Sequence, residues 1–194
     1  MYDFIEGQIE KLTPAFAVLN CNGLGFHINI SVYTFEKLKL LSKTRLHVHQ
    51  VISEDSHSLF GFFNEREREV FRHLISVSGV GSNTARVLLS SLNEDAVINA
   101  IIRKDAALLQ SVKGIGPKAA QRLILELHDK FGKFGQTVSL VQGATANSFD
   151  EALQALLALG FVRATAEKAL LRVHKDQGDT ATTESLVKDA FKYL

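Results

Sequence analysis

One turn, written twice, constrains this chain more than any other feature: LISVSGVGSNTARVLL at 74–89 returns as LQSVKGIGPKAAQRLI at 109–124. The glycine pairs Gly79/Gly81 and Gly114/Gly116 stand 35 residues apart, and an aliphatic run of helical spacing follows each. Each copy predicts helix, tight turn, helix. A Gly-X-Gly turn ahead of a helix lets a ligand come close to the backbone. It also aims successive N–H groups outward at the positive end of the helix dipole, where a phosphate oxygen fits. A single pair is equally well explained as a close helix–helix connection; two copies with matching flanks favour a repeated anion-binding device.

The two copies differ in charge. Lys113, Lys118 and Arg122 flank the second turn, the last two spaced i, i+4 on one helical face, so a phosphate held by amides also meets side-chain charge. The first turn has Ser82 and Asn83 where the second has Pro117 and Lys118, and Arg86 falls one position earlier than a match to Arg122. The predicted nucleic-acid contacts are therefore Gly79, Gly81, Ser82, Asn83 and Arg86 in the first copy, and Lys113, Gly114, Gly116, Lys118 and Arg122 in the second. Two such turns grip two phosphates and leave the bases unread, which gives affinity without sequence preference.

Net charge alone does not make this case. The overall +1 conceals a basic middle, where residues 65–134 carry 11 Lys/Arg against 8 Asp/Glu, between flanks that are each slightly acidic. An excess of that size is far from a strongly basic nucleic-acid domain, so local placement carries the reading. A dinucleotide fold would need a longer glycine spacing after a parallel strand, and GIGPKAAQ lacks the Gly-Lys-Ser/Thr ending of a nucleotide-triphosphate loop.

The hydrophobic pattern divides the chain. Between Phe4 and Phe63, short apolar segments broken by turns (FIEGQIEKL, FAVLNCNGLGFHINI, TRLHVHQVI, SLFGFF) predict five or six strands closed into a small barrel, with Asn22-Gly23 as a hairpin turn and Gly25 as a bulge beside it. From 65 to 131 the period becomes helical, with Pro117 at a helical first turn and Asn93 or Asp95 as a cap. Residues 132–147, GKFGQTVSLVQGATAN, lack a sustained apolar face and predict a flexible linker. Residues 148–194 predict three short helices, the first entered through a Ser148/Glu151 capping box. Leu156, Leu159, Gly160 and Phe161 form an apolar cluster there, read mainly as core and secondarily as a partner groove. The fold class expected is multidomain α+β: barrel, tandem helical hairpins, three-helix bundle.

Ser53-Glu54-Asp55-Ser56 is a polar tip between two strands, in general a solvated turn. Facing DNA, Glu54 and Asp55 would repel phosphates and keep strands apart. Two adjacent carboxylates make a weak metal site, and no metal or other cofactor is expected. The seven histidines lack metal-ligand spacing, and lone Cys21 permits no internal disulfide. No catalytic site of the chain's own is expected. The opening MYDFIEGQ lacks a leader and no apolar run approaches a membrane span, so a cytoplasmic setting without membrane attachment is expected.

In the order of its parts the chain resembles the RuvA family, the Holliday-junction-binding subunits of bacterial branch-migration complexes. The resemblance covers essentially the whole length and rests on IEGQIEKL, on SEDSHSLFGF before NEREREVFRHLISVSGVG, and on VKGIGPKAAQRLILELHDKF. It implies an oligonucleotide-binding (OB)-type barrel over 1–64, hairpins over 65–131, a linker over 132–147 and a docking domain over 148–194. It further implies a homotetramer holding an open four-way junction, alone or as one of two stacked tetramers. Glu54 and Asp55 would serve as an acidic pin at the crossover. A RuvB-type AAA+ ATPase would dock through Leu156, Leu159 and Phe161, and a RuvC-type resolvase would cut later. Two positions depart from the family's usual basic residues, Ser53 before the acidic pair and Asn83 in the first hairpin. A general helix-hairpin-helix repair adaptor without junction selectivity is the alternative, and a small junction nuclease or glycosylase a further class for which no nucleophile or metal cluster is evident.

Overall fold

The computed structural model describes residues 2–54, 56–140, 148–177 and 182–194, without the side chains of 133–140, 150, 176 and 177. Contacts group Met1–Phe134 into one unit and Gly135–Leu194 into another.

Alternating apolar residues build the barrel. Strands β1 (Phe4–Leu12), β2 (Phe16–Cys21), β3 (Leu24–Ile30), β4 (Lys43–Ile52) and β5 (His57–Phe62) close in the order β1-β2-β3-β5-β4. All pairs are antiparallel except β3 with β5. Inward positions, among them Ile5, Leu19, Ile28, Ile30, Leu46 and Val48, fill the interior. Asn22 at φ 52° and Gly23 at φ 92° make the expected two-residue turn. The bulge lies elsewhere than expected: Gly25 pairs in register with Asn20, and the irregularity falls in β1 between Ile9 and Lys11. Gly61 is obligatory for a steric reason, since a Cβ there would lie 2.5 Å from Ile28 Cγ2 across the close β3–β5 pair.

A helix not foreseen in the sequence, α1 (Val32–Leu38), links β3 to β4. Its seven residues VYTFEKL favour strand by composition. The signal for a helix was Ser31, whose side chain accepts from Thr34 N and caps it.

Five helices follow: α2 (Glu65–Ile75), α3 (Ser82–Ser91), α4 (Glu94–Ile102), α5 (Ala106–Gln110) and α6 (Pro117–Leu140), the last running past Phe134. Asn64, Asn93 and Asp105 cap α2, α4 and α5, so of the two proposed caps for α4 Asn93 takes the role, while Asp95 pairs with Arg66 at 2.7 Å. Pro117 opens α6 as expected. That helix continues to Leu140, into the stretch read as linker; residues 141–147 lie outside the described residues.

Barrel and hairpins share one core. Phe60 and Phe62 on the outer face of β5 meet Phe71 of α2 at ring-centroid distances of 5.2 and 4.8 Å, joining the cluster that runs through Leu74, Leu88, Ile101, Leu123 and Phe131. Polar groups reinforce the seam. Glu67 of α2, wholly buried, accepts from Ser31 Oγ at 2.5 Å and Thr34 Oγ1 at 2.7 Å. Burial pushes its carboxyl up to about 7, those hydroxyls opposing the shift and nearby Glu94 adding to it. Arg68, also buried, donates to the carbonyl and carboxylate of Asp3, and this contact holds the Asp3 carboxyl below its ordinary range.

The second unit contains α7 (Ser148–Ala158), α8 (Arg163–Gln177) and α9 (Thr183–Ala190) around Leu153, Leu156, Leu170, Val173 and Leu186. Gly160, at φ +94°, ends α7 in a left-handed cap with Phe161 N bonded to Leu156 O and Gly160 N to Leu157 O. Ser148 is the first helical residue, and the Glu151 carboxylate accepts from Thr183 Oγ1 of α9 at 2.7 Å.

Candidate nucleic-acid interface

The repeated sequence folds into a repeated backbone. After α2, Val77 N bonds Leu74 O, Val80 N bonds Val77 O and Ala85 N bonds Gly81 O; 35 positions on, Val112 N bonds Leu109 O, Ile115 N bonds Val112 O and Ala120 N bonds Gly116 O. The first glycine of each pair takes a positive φ, 90° at Gly79 and 96° at Gly114, which only glycine adopts without strain. Two aliphatic residues pin each turn from beneath, Val77 with Val80 and Val112 with Ile115, all at most 4% exposed. Ser76 and Ser111 close the preceding helices by donating to His73 O and Leu108 O, each at 2.7 Å. The sequence reading passed over this serine pair, although the same 35-residue offset announces it.

The outer faces of the turns are open. A methyl group built on Gly79, Gly81 or Gly116 would meet no atom within 4 Å, and no side chain caps the N-terminus of α3 at Gly81. The first-turn N–H groups of that helix are thus left without a side-chain cap, the arrangement an anionic oxygen requires. The two hairpins adjoin each other. Gly114 lies against Thr84 of α3, whose methyl carbon would be 3.6 Å from a Cβ there, and Arg122 Nη1 donates to Ser78 O at 3.4 Å.

The other predicted contacts divide. Lys113, Lys118 and Arg122 are exposed beside the second turn, and Asn83 is exposed and Ser82 half-buried beside the first. Arg86 turns the other way. It is half-buried and its Nη1 donates to Ala15 O at 2.8 Å and Ile30 O at 3.5 Å, so its guanidinium is engaged by barrel carbonyls rather than set at the turn. The single-residue offset from Arg122 explains this, because one step along a helix rotates a side chain by about 100°.

At the β4–β5 tip, Ser53 N donates to Ser56 O at 2.9 Å and the two serine hydroxyls lie 2.8 Å apart, clasping a loop on which Glu54 is exposed; Asp55 lies outside the described residues. Among the described residues no group of three or more His, Cys, Asp or Glu is arranged to hold a metal ion, and no helix is long and apolar enough to cross a membrane. In the second unit the apolar trio separates. Leu156 is completely buried, so it belongs to the core and its expected docking role is corrected. Leu159 is 61% exposed, and half-buried Phe161 packs edge-on against Phe191 at 5.8 Å.

Comparison with known proteins agrees along the whole chain. Residues 1–61 match the RuvA N terminal domain, 71–129 the SAM-like helix-hairpin-helix tandem, and 147–194 the RuvA C-terminal domain. The Holliday junction branch migration complex subunit RuvA of Flavobacterium psychrophilum is 42% identical over 194 residues, covering 100% of both chains. Those of Christiangramia forsetii and Cytophaga hutchinsonii are each 44% identical, over 195 residues with 100% coverage and 197 residues with 99% coverage respectively. The chain belongs to the RuvA family.

Proposed function

We propose that this member of the RuvA family binds four-way junction DNA through phosphate contacts, as a tetrameric scaffold on which an ATP-driven motor moves the branch point. The observation that carries the reading is the pair of matching open amide turns, side by side in one compact unit with the barrel. Each turn would hold a backbone phosphate on its N–H groups, and Lys113, Lys118 and Arg122 would add charge at the second. Contacts of that kind are indifferent to sequence, as a protein acting at a migrating crossover requires. The β4–β5 tip, with Glu54 and Asp55, would stand at the crossover and repel the strands from one another. Fourfold assembly would bring four such tips to one centre.

The chain would contribute grip and shape, and a RuvB-type AAA+ ATPase the energy. That motor would dock on residues 148–194 through exposed Leu159 and the neighbouring Phe161 edge. A RuvC-type resolvase would act on the junction so held. A synthetic immobile junction competed with linear duplex at matched salt, with complex mass recorded in the same samples, tests the reading. Strong junction preference in a tetrameric or octameric complex is expected; monomeric, non-selective binding would replace the reading with a general repair adaptor.

A further inference from the structure

The first hairpin is bonded to the barrel along both of its helices. On α2, Glu67 takes the hydroxyls of Ser31 and Thr34, and Arg68 takes Asp3. On α3, Arg86 Nη1 reaches two separate barrel segments, the β1–β2 connection at Ala15 O and the end of β3 at Ile30 O. One turn further along, Ser90 Oγ donates to Arg86 O at 2.8 Å and accepts from Val32 N at 3.1 Å, so the same stretch of α3 also caps the start of α1. Arg86 Nε is buried without a partner, a cost that the outward orientation would avoid and that the carbonyl bonds offset. Among the described residues no hydrogen bond ties the second hairpin to the barrel. Gln121, which stands 35 positions after Arg86, is exposed, and the second hairpin reaches the first through Arg122 and Ser78.

We infer that Arg86 is a positioning residue for DNA binding: it fixes the phosphate-binding turn of the first hairpin relative to the barrel and its acidic tip, and does not itself hold a phosphate. This rests on the junction-binding reading. A turn without lysines of its own depends chiefly on amide geometry, and hydrogen bonds from amides weaken steeply with misalignment, so the hairpin with less charge of its own is the one that must be held still. The barrel carries the acidic tip on β4–β5, and the clasp sets the spacing between that tip and the first phosphate.

The test uses the full-length protein, with Arg86→Met, which keeps the aliphatic stem and removes the donors, and Arg86→Lys, which restores one donor. Hydroxyl-radical footprints on a four-way junction and on linear duplex are read together with 2-aminopurine fluorescence at the crossover. The phosphates whose protection Lys118→Ala removes are those of the second hairpin. Arg86→Met is expected to keep that protection, lose protection at the first hairpin's phosphates and lower the crossover fluorescence, with part of both recovered in Arg86→Lys and the salt dependence of affinity unchanged. Unaltered footprints and fluorescence would overturn the inference. So would a salt slope reduced by about one per subunit, which marks a lost phosphate contact. Should Arg86→Met not fold, Ser90→Ala opens the same clasp from its other end under the same readouts. The duplex arm reports on Arg86 even if the wild-type protein shows no junction preference, an outcome that would sink the junction reading separately.

Discussion

The two hairpins share a backbone, its closing serines and its aliphatic pins, and differ in the polar side chains at the turn and in their ties to the barrel. The first has Ser82 and Asn83 at its turn and is tied to the barrel by Glu67, Arg68, Arg86 and Ser90; the second has Lys113, Lys118 and Arg122 and no barrel bond among the described residues. A duplicated motif has thus split two requirements of phosphate binding, fixed geometry and charge, between its copies. Where charge is present, long flexible side chains tolerate some freedom of the turn. Where it is absent, the amides must already be in place.

The largest expected effect tests the charged copy. Lys113→Ala with Lys118→Ala should weaken junction binding about tenfold per lost contact and reduce the salt slope by about one for each, alike for unrelated junction sequences. A titration of affinity against salt reads both quantities. A loss confined to particular sequences would contradict phosphate-only recognition.

Next comes the seam that holds the uncharged copy. Glu67 has a folded value of about 7 against an ordinary 4.5. Below about pH 4.5 its carboxyl is protonated in both folded and unfolded chains, and between the two values only the folded chain retains the proton. This group's contribution to stability is therefore full at low pH and is lost as pH rises through 7, by an amount on the order of 3 kcal/mol. Glu67→Gln should flatten that part of the profile between pH 5 and 8, measured by urea denaturation. A wild-type curve that rose through this window and a variant curve parallel to it would refute the assignment.

A smaller effect asks whether the copies are equivalent in backbone. Gly79→Ala and Gly114→Ala each place a side chain at a φ near +90° with no atom nearer than the 3.6 Å ordinary contact of Thr84 with position 114, so the cost is conformational, about 1–2 kcal/mol, and the same in both turns. Thermal unfolding checks the equality; markedly different costs would show that the turns are not interchangeable. The smallest expected change is a gain. Asn83→Lys gives the first hairpin the charge at the position Lys118 occupies in the second, and should raise affinity a few-fold with a steeper salt slope, since exposed charges interact weakly through solvent. No change in slope would mean that the side chain at 83 does not face the phosphate.

Much of this molecule was legible from local pattern. The strands' alternation, the Asn22-Gly23 turn, the Pro117 helix start and each glycine turn of the repeat are signals carried within a few residues, and each sits where its backbone requirement demands; of Asn93 and Asp95, both possible caps, Asn93 takes the role. Helix α1 was not legible because VYTFEKL resembles a strand until Ser31 is seen to cap it, and the β1 bulge was not because register depends on the partner strand. The extent of α6 past Gly132 also escaped, since an isolated glycine weakens a helix without ending it.

What the sequence alone determined is the repeated turn and the periodicities around it, because glycine's freedom at positive φ and the spacing of apolar residues are properties of short stretches of chain. Only the tertiary structure decided what the polar side chains do. Arg86 and Arg122 look alike in sequence, yet one donates to barrel carbonyls and the other lies exposed between the turns; Leu156 and Leu159 look alike, yet one is core and the other surface. The direction of a side chain depends on a rotation of about 100° per helical residue and on which neighbour the chain brings alongside, and that neighbour is often distant in sequence, as Ala15 is from Arg86.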